Sequence, residues 1–161
     1  MYIKRKLRED LTLYKGLRFN SKIAQNSSKR YRTVVGVGGN VGDVKRRFEH
    51  LLVTLQRDVR VDVVQSSYIL ENPPFGFLEQ DYFFNAIIFL QVNMQAHRML
   101  DYLLRLEKKF ARKRSFSNSP RTLDLDIVFF DNRVIETKNL VVPHPHWSKR
   151  ESVVIPLASM K

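Results

Sequence analysis

Residues 121–130 read Arg-Thr-Leu-Asp-Leu-Asp-Ile-Val-Phe-Phe, and this alternation constrains the fold more than any other stretch of the chain. Side chains point to alternate faces of a strand, so Asp124 and Asp126 share one face while the aliphatic residues around them share the other. The pattern predicts a strand whose apolar face packs on a core. Its acidic face must be solvated or neutralised by cations, because buried like charges repel and are costly to desolvate.

Two explanations of this acidic pair are open at this point. Asp124 and Asp126 either lie on a solvent-facing strand and pair loosely with Lys or Arg, or they bind magnesium. Magnesium takes carboxylate oxygens, keeps several waters and bridges to substrate phosphates. An isolated Asp-x-Asp is too short to choose between them, so the surrounding sequence has to decide.

The chain has 161 residues, 43% of them hydrophobic, which predicts a soluble protein with a substantial core. It contains no cysteine, which excludes disulfides and thiolate metal sites and favours a reducing compartment. No apolar run approaches the roughly 20 residues needed to span a bilayer. We therefore expect a cytoplasmic protein without a membrane partner.

The net charge of +12 is unevenly distributed: residues 1–32 carry +8, residues 105–121 carry +6, and the remainder carries −2. Two basic patches favour polyanionic partners, either the phosphates of a nucleotide or the backbone of a nucleic acid. Composition does not distinguish these two classes of partner.

The periodicity of apolar residues predicts the element order βαββαβ. The predicted strands are 33–38, 59–67, 83–92 and 122–130, one predicted helix carries Val44 to Leu55 and the other covers 95–112, and a long connection covers 68–82. A small hairpin near Val134 and a last apolar segment, 153–157, follow. This order predicts an α+β, ferredoxin-like sandwich, in which helices pack on an antiparallel sheet.

Residues 1–32 lie outside this pattern and form a basic N-terminal extension to a domain at 33–161. Three explanations of the extension are open: an element packed on the domain, a disordered basic tail and a transit peptide. The acidic pair Glu9-Asp10 and the lack of a cleavage signal count against a transit peptide.

A glycine-rich turn, Gly38-Gly39-Asn40-Val41-Gly42-Asp43, joins the first predicted strand to the first helix. It either cradles a phosphate at the helix N-terminus or lets the backbone approach a flat ligand closely. Because no Gly-Lys-Ser/Thr follows, a Walker loop is excluded.

Three further positions carry candidate binding chemistry. The loop Pro73-Pro74-Phe75-Gly76 is stiff and apolar, which favours a preformed pocket. Asn85 either hydrogen-bonds a planar heterocycle or is bonded within the protein, and His144 either contacts phosphate or is structural.

Taken together, these segments resemble the 6-hydroxymethyl-7,8-dihydropterin pyrophosphokinase family. The resemblance covers about residues 33–157 and rests on motifs in a fixed order: the glycine-rich turn, Asn72-Pro73-Pro74-Phe75-Gly76, Asp81-Tyr82-Phe83-Phe84-Asn85-Ala86, Glu107 with Arg112, Pro120-Arg121-Thr122-Leu123-Asp124-Leu125-Asp126 and Pro143-His144-Pro145. The longest of these is highly specific.

The resemblance implies an ATP-dependent diphosphokinase of folate biosynthesis. Such a transferase moves pyrophosphate from ATP to 6-hydroxymethyl-7,8-dihydropterin and gives AMP and the pterin diphosphate. It implies ATP as co-substrate, two Mg²⁺ ions and a small-molecule pterin, with neither nucleic acid nor membrane as partner. The oligomeric state stays open, and a monomer is one option.

The resemblance also implies a role for individual positions. The metal ligands are Asp124 and Asp126, and the catalytic arginines are Arg112 and Arg121. The nucleotide contacts are Glu107, Arg114, His144 and Arg150. The pterin contacts are Gly38, Gly39, Asn72, Pro73, Phe75, Phe83 and Asn85.

Two departures from the family pattern keep other functions open. The usual Arg-Trp-Gly before Pro120 reads Ser-Asn-Ser, and an aromatic residue usual two positions after Arg150 is Ser152, for which Trp147 or Phe116 could substitute. A catalytically impaired pterin-binding homologue is therefore one alternative. The basic patches leave a ferredoxin-like nucleic-acid-binding module as another.

Overall fold

The computed structural model describes residues 2–23, 27–74, 76–110 and 121–160. Within these ranges the strands are β1 (Ile3–Arg8), β2 (Leu11–Lys15), β3 (Ser21–Lys22), β4 (Tyr31–Gly39), β5 (Val61–Ser66), β6 (Ile69–Asn72), β7 (Phe83–Val92), β8 (Asp124–Phe130), β9 (Ile135–Glu136) and β10 (Val141–Val142). The helices are α1 (Val44–Gln56), α2 (Ala96–Lys109) and α3 (Glu151–Ala158), and a 3₁₀ turn covers Trp147–Lys149.

The main sheet is antiparallel and runs in the order β1-β2-β6-β7-β4-β8. The long strand β7 pairs with β6 through its first residues and with β5 through its last, so β5 and β6 occupy the same side of β7. The strands β5-β7-β4-β8, with α1 and α2, form the βαββαβ unit expected from the sequence. The ferredoxin-like α+β prediction is confirmed, and β9 and β10 form the extra hairpin.

The core lies between the sheet and the helices α1 and α2. Phe48 and Leu51 of α1 and Met99 of α2 are fully buried, and they join one cluster with Val35 of β4 and Leu125 of β8. Helix α1 begins after Asp43, whose side chain accepts a hydrogen bond from the Arg46 N–H at 3.3 Å. Alternate residues of β4 and β8 therefore face away from this core.

The prediction of an unbroken connection over residues 68–82 is wrong in part, because Ile69–Asn72 forms β6. Ile69 and Leu70 are both fully buried, so the segment lacks the alternation that identifies a half-exposed strand. Its partner β2 lies more than fifty residues away in the chain, with Leu13 opposite Leu70. A pairing this distant leaves no local sequence pattern.

The N-terminal residues 2–23 pack on the sheet. Strand β2 pairs with β6, and β1 forms the sheet edge beside β2. Leu11 and Leu13 pack with Leu70, and Ile155 of α3 packs against this cluster. Phe19 is fully buried in the main core. None of the helices in the described ranges is both long and apolar enough to cross a bilayer.

Candidate active site

A cavity of about 700 Å³ opens on the sheet face that carries the alternate residues of β4 and β8. Its volume lies in the range of small-molecule sites. The lining residues come from distant parts of the chain: Arg8, Asp10 and Leu11, Gly36 to Gly38, Asn72 to Pro74, Phe83, Asn85 and Ala86, Arg121, Asp124, Asp126 and Val128, His144 and His146, and residues 149–153.

Glycines shape the floor of this cavity. Gly36 and Gly38 lie on the cavity face of β4, where the absence of side chains keeps the floor open. A Cβ at Gly38 would lie 2.8 Å from the Asn85 Oδ1 atom, so only glycine lets the Asn85 side chain occupy its position.

Asn85 and Asn72 form a polar pair at one end of the cavity. The Asn85 side-chain amide donates to the Asn72 Oδ1 at 2.7 Å, and the Asn72 amide donates to the Pro73 carbonyl oxygen at 3.1 Å. Asn85 is thus bonded within the protein. A side-chain amide carries two hydrogens, so this bond still leaves a donor for a ligand.

Asp124 and Asp126 face the cavity together, as the alternation of their strand predicts. Water reaches Asp126 through the open cavity, but the surrounding protein desolvates the carboxyl group. This burial, followed by the charge of Asp124, raises the pKa of Asp126. Electrostatic interactions with the neighbouring His144 and Arg121 oppose the rise. A divalent cation would relieve the repulsion between the two carboxylates.

Within the described ranges, no group of three or more His, Cys, Asp or Glu side chains is arranged so that it could hold a metal ion by itself. The donor set nevertheless fits Mg²⁺, which commonly binds one or two carboxylates and completes its coordination with water and substrate phosphates.

Arg121 lies immediately beside these acids. Its Nη1 donates to the Asp124 Oδ2 at 2.8 Å, and the two side chains are 19% and 17% exposed. The Nε–H of Arg121 is buried and meets no acceptor within the described part of the chain. An unpaired buried donor is costly, so a phosphate oxygen at this position would be stabilised.

Asn40 holds Arg121 in place, a role that the sequence reasoning missed. Its Oδ1 accepts from the Arg121 N–H at 2.8 Å, and its own N–H donates to the Arg121 carbonyl oxygen at 2.9 Å. Its side-chain amide also donates to the Gln80 Oε1 and the Asp81 carbonyl oxygen. The only sequence signal was its place after the glycine pair.

Basic side chains line a further part of the cavity. Four residues line this part of the cavity: His144, His146, Lys149 and Arg150. The backbone N–H of His144 donates to the Val128 carbonyl oxygen at 2.9 Å. The His144 Nδ1 lies 2.8 Å from the Pro145 carbonyl oxygen. A carbonyl oxygen only accepts, so Nδ1 carries the hydrogen and Nε2 remains for a ligand.

Some predicted site residues lie elsewhere. Glu107 is 2% exposed and accepts from the Leu125 N–H at 2.7 Å, at the interface of α2 and β8. Gly39 packs against the Thr122 backbone, where a Cβ would lie 2.7 Å from the carbonyl oxygen. Neither residue is among those that line the cavity.

Of the remaining aromatic and arginine positions, the structure describes Trp147 and does not describe the others. The Trp147 ring packs edge-on against Phe129, with 4.9 Å between ring centroids, and Trp147 does not line the cavity. It therefore does not replace the aromatic residue absent at Ser152. Phe75, Arg112, Arg114 and Phe116 lie outside the described residues.

The cavity combines two carboxylates with several basic side chains on an antiparallel α+β scaffold. Neutralisation of phosphate oxygens and positioning of the reacting groups account for most of the catalysis of phosphoryl transfer. The fold and the site therefore define a phosphoryl-transferring enzyme.

Comparison with known proteins identifies the kind of transferase. Residues 34–161 match the family model described as 7,8-dihydro-6-hydroxymethylpterin-pyrophosphokinase. A relative from Campylobacter jejuni, a 2-amino-4-hydroxy-6-hydroxymethyldihydropteridine pyrophosphokinase, is 41% identical over 87% of this chain and 90% of its own length. Relatives with the same name from Helicobacter pylori and Bacillus subtilis are 35% and 32% identical, over 79% and 78% of this chain and 79% and 75% of their own lengths.

The chain belongs to the 7,8-dihydro-6-hydroxymethylpterin-pyrophosphokinase family. It is a pyrophosphokinase that uses ATP as a substrate and transfers pyrophosphate to hydroxymethyldihydropterin in folate synthesis. The family resemblance and the activity predicted from the sequence are confirmed.

Proposed function

We propose that the cavity over β4 and β8 is where this transfer takes place and that its residues divide into a phosphate side and a pterin side. The observation that carries the proposal is the convergence of Asp124, Asp126 and Arg121 with the Asn72–Asn85 pair in one cavity. These residues come from distant parts of the chain, and each group suits a different part of the reaction.

On the phosphate side, His144 and Arg150 contact the nucleotide, together with Arg114. Arg suits this role because its planar fork binds two phosphate oxygens at once. Glu107 acts indirectly in this proposal. Its hydrogen bond to the Leu125 N–H fixes β8 between the two aspartates.

Asp124 and Asp126 would hold Mg²⁺, and we propose two ions. When bound, the metal neutralises charge on the phosphate chain and increases the electrophilicity of the β-phosphorus. The raised pKa of Asp126 indicates that this carboxylate is not fully stabilised by the protein's own cations.

On the pterin side, the ring lies against Pro73, Phe83 and the Gly38 backbone, with Phe75 as a further contact. The Asn72–Asn85 pair offers amide groups in a fixed orientation to the edge of the heterocycle. Gly39 contributes by placing the turn against the Thr122 backbone.

The reaction then needs little covalent participation by the protein. The hydroxymethyl oxygen of the pterin forms a bond to the β-phosphorus of ATP and releases its proton to solvent, the bond from that phosphorus to the α,β-bridging oxygen breaks, and AMP leaves. Arg121 and Arg112 stabilise the charge that moves onto the bridging oxygen, and the cavity aligns the two substrates.

We further propose that the enzyme works in the cytoplasm, with small molecules rather than nucleic acid or membrane as its partners. The two substrates and the products are soluble anions or neutral heterocycles.

A coupled assay tests this proposal. Purified protein is incubated with ATP, hydroxymethyldihydropterin and Mg²⁺, and AMP formation is measured with and without the pterin and with EDTA. AMP that requires both pterin and Mg²⁺ is the expected result. Pterin binding without AMP would favour an impaired homologue, and salt-sensitive RNA binding without AMP would favour a nucleic-acid-binding module.

A further inference from the structure

The β1–β2 turn reaches the candidate active site although it lies outside the residues matched by the family model. That model begins at residue 34, whereas Arg8, Asp10 and Leu11 line the cavity. The family motifs therefore leave this border of the cavity without an explanation.

The sheet register places this turn on the pterin side. Thr12 of β2 lies opposite Glu71 of β6, so Leu11 comes next to the end of β6 at Asn72. Asn72 is the residue that bonds to Asn85. The turn is therefore beside the proposed pterin contacts.

Three hydrogen bonds fix the plane of the Arg8 guanidinium. Its Nε donates to the Asp10 Oδ1 at 2.7 Å, and its Nη1 and Nη2 each donate to one oxygen of Glu151 at 2.8 Å. Bidentate pairing of this kind sets orientation as well as energy. The side chain is nevertheless 52% exposed and lines the cavity, so its orientation is set before a ligand binds.

The charge around Arg8 favours a neutral ligand. Two carboxylates, Asp10 and Glu151, pair with one guanidinium, so the group as a whole is negative. Such a group attracts polyphosphate poorly. A guanidinium plane does stack well on a flat conjugated ring.

The neighbouring α3 residue leaves space for this contact. Ser152, which follows Glu151 and lines the cavity, has a small side chain, and Trp147 packs against Phe129 instead. Leu11, 3% exposed, gives the turn a firm base on the sheet.

We propose that the N-terminal hairpin forms one wall of the pterin subsite and that Arg8 stacks its guanidinium on the pterin ring as a substrate-binding residue. This inference rests on the proposed function. It adds a specificity-determining residue from a segment outside the family model.

The test compares Arg8→Ala and Arg8→Lys with Arg5→Ala, a matched charge loss on the same strand at a residue that does not line the cavity. Pterin affinity is measured by the fluorescence of the pterin without ATP, and KM is measured for both substrates. Both Arg8 variants should weaken pterin binding about tenfold, the effect of roughly 1.4 kcal/mol. KM for ATP should stay within about twofold, and Arg5→Ala should match the wild type.

Three results would overturn the inference: unchanged pterin affinity in Arg8→Ala, full retention in Arg8→Lys, or an equal loss of ATP affinity. The first result would mean that Arg8 does not contact the pterin. The second would mean that only the positive charge of Arg8 matters, and the third would mean that the substitution damages the whole site. Thermal unfolding identifies a misfolded Arg8→Ala, in which case Arg8→Lys decides. If the wild type binds pterin but forms no AMP, the proposed function is refuted and the inference on Arg8 is not, because the fluorescence measurement of pterin binding still tests Arg8.

Discussion

Asn40 and Arg121 are joined by two reciprocal hydrogen bonds, at 2.8 Å from the Arg121 N–H to the Asn40 Oδ1 and at 2.9 Å from the Asn40 N–H to the Arg121 carbonyl oxygen. Asn40 is 5% exposed, so these bonds are shielded from water. The glycine-rich turn and the acidic strand, which are 81 residues apart, are thus held in one arrangement. The position of the Arg121 side chain over Asp124 depends on this connection.

Asn40→Ala should therefore impair both stability and turnover. Removal of the amide leaves the part-buried backbone N–H of Arg121 without its acceptor, at a cost of about 1–3 kcal/mol. We expect a lower free energy of unfolding in urea and a lower kcat. Asn93→Ala is the control, because Asn93 accepts from the Arg30 N–H far from the cavity. It should lose stability only, and an equal loss of kcat in both variants would contradict the positioning role.

Asp126→Asn should reduce turnover by about 100-fold or more, because the variant loses the charge that would hold Mg²⁺ while keeping the shape of the side chain. Mg²⁺ titrations of AMP formation measure the effect. Asp101→Asn, an exposed change on α2, serves as the control. Near-normal activity of Asp126→Asn at ordinary Mg²⁺ concentrations would refute the metal-ligand assignment.

Arg121→Ala should slow the chemical step more than it weakens ATP binding. The buried Nε–H and the bond to Asp124 direct this guanidinium at the site where charge develops. A fall of about 100-fold in kcat with a small change in KM for ATP is expected, as for a group that acts in the transition state. Single-turnover kinetics would separate the two effects. A variant altered only in KM would argue for a binding role.

Asp58 should make stability depend on pH in the acid range. Hydrogen bonds from Arg60 hold the pKa of Asp58 at about 2, below its usual value of 3.8. A lowered pKa contributes stability above pH 4 that is lost as the pH falls towards 2. The effect is of order 1 kcal/mol, since Arg60 is 44% exposed and solvent screens the pair.

Urea unfolding of the wild type and Asp58→Asn at pH 5 and pH 3 measures this difference. The wild type should be the more stable protein at pH 5, and the gap should narrow at pH 3. A gap of constant size would mean that the hydrogen-bond geometry, rather than ionisation, carries the effect.

Lys45→Met should loosen the N-terminal hairpin. The Lys45 Nζ lies 3.9 Å from the centroid of the Tyr14 ring and about 5 Å from those of Tyr2 and Phe84, so one cation connects α1, the hairpin and β7. Cation–π contacts of this kind contribute about 0.5–2 kcal/mol. Hydrogen exchange should become faster in β2, and exchange in β7 should change little. Unchanged protection in β2 would show that Leu11 and Leu13 suffice to hold it.

The same experiment bears on how the chain is divided into folding units. The sequence predicts a basic extension at 1–32 and a domain at 33–161. The pairing of β2 with β6 and the burial of Phe19 make the hairpin part of the main sheet. We expect it to unfold together with the domain in the wild type.

The elements that the sequence predicted well are those with local causes. The alternation in residues 124–127 and the helical spacing of Phe48, Leu51 and Leu55 identify their own structures, because each strand or helix must place its apolar side chains on one face. The family motifs added the order of the segments and the activity. The predicted convergence of Asp124, Asp126, Arg121 and His144 on one cavity follows from the same motifs.

What the sequence determined by itself was thus the fold class, the catalytic chemistry and the acidic pair. The tertiary structure alone decided that β6 pairs with a strand of the N-terminal extension. It also decided that Asn40 hydrogen-bonds to the Arg121 backbone and that Arg8 pairs with Glu151, 143 residues away. Glu107 likewise lies under β8 and outside the cavity lining. The physical reason is the range of the interactions: periodicity and turn chemistry act between near neighbours, whereas these hydrogen bonds depend on segments that meet only after the sheet has formed.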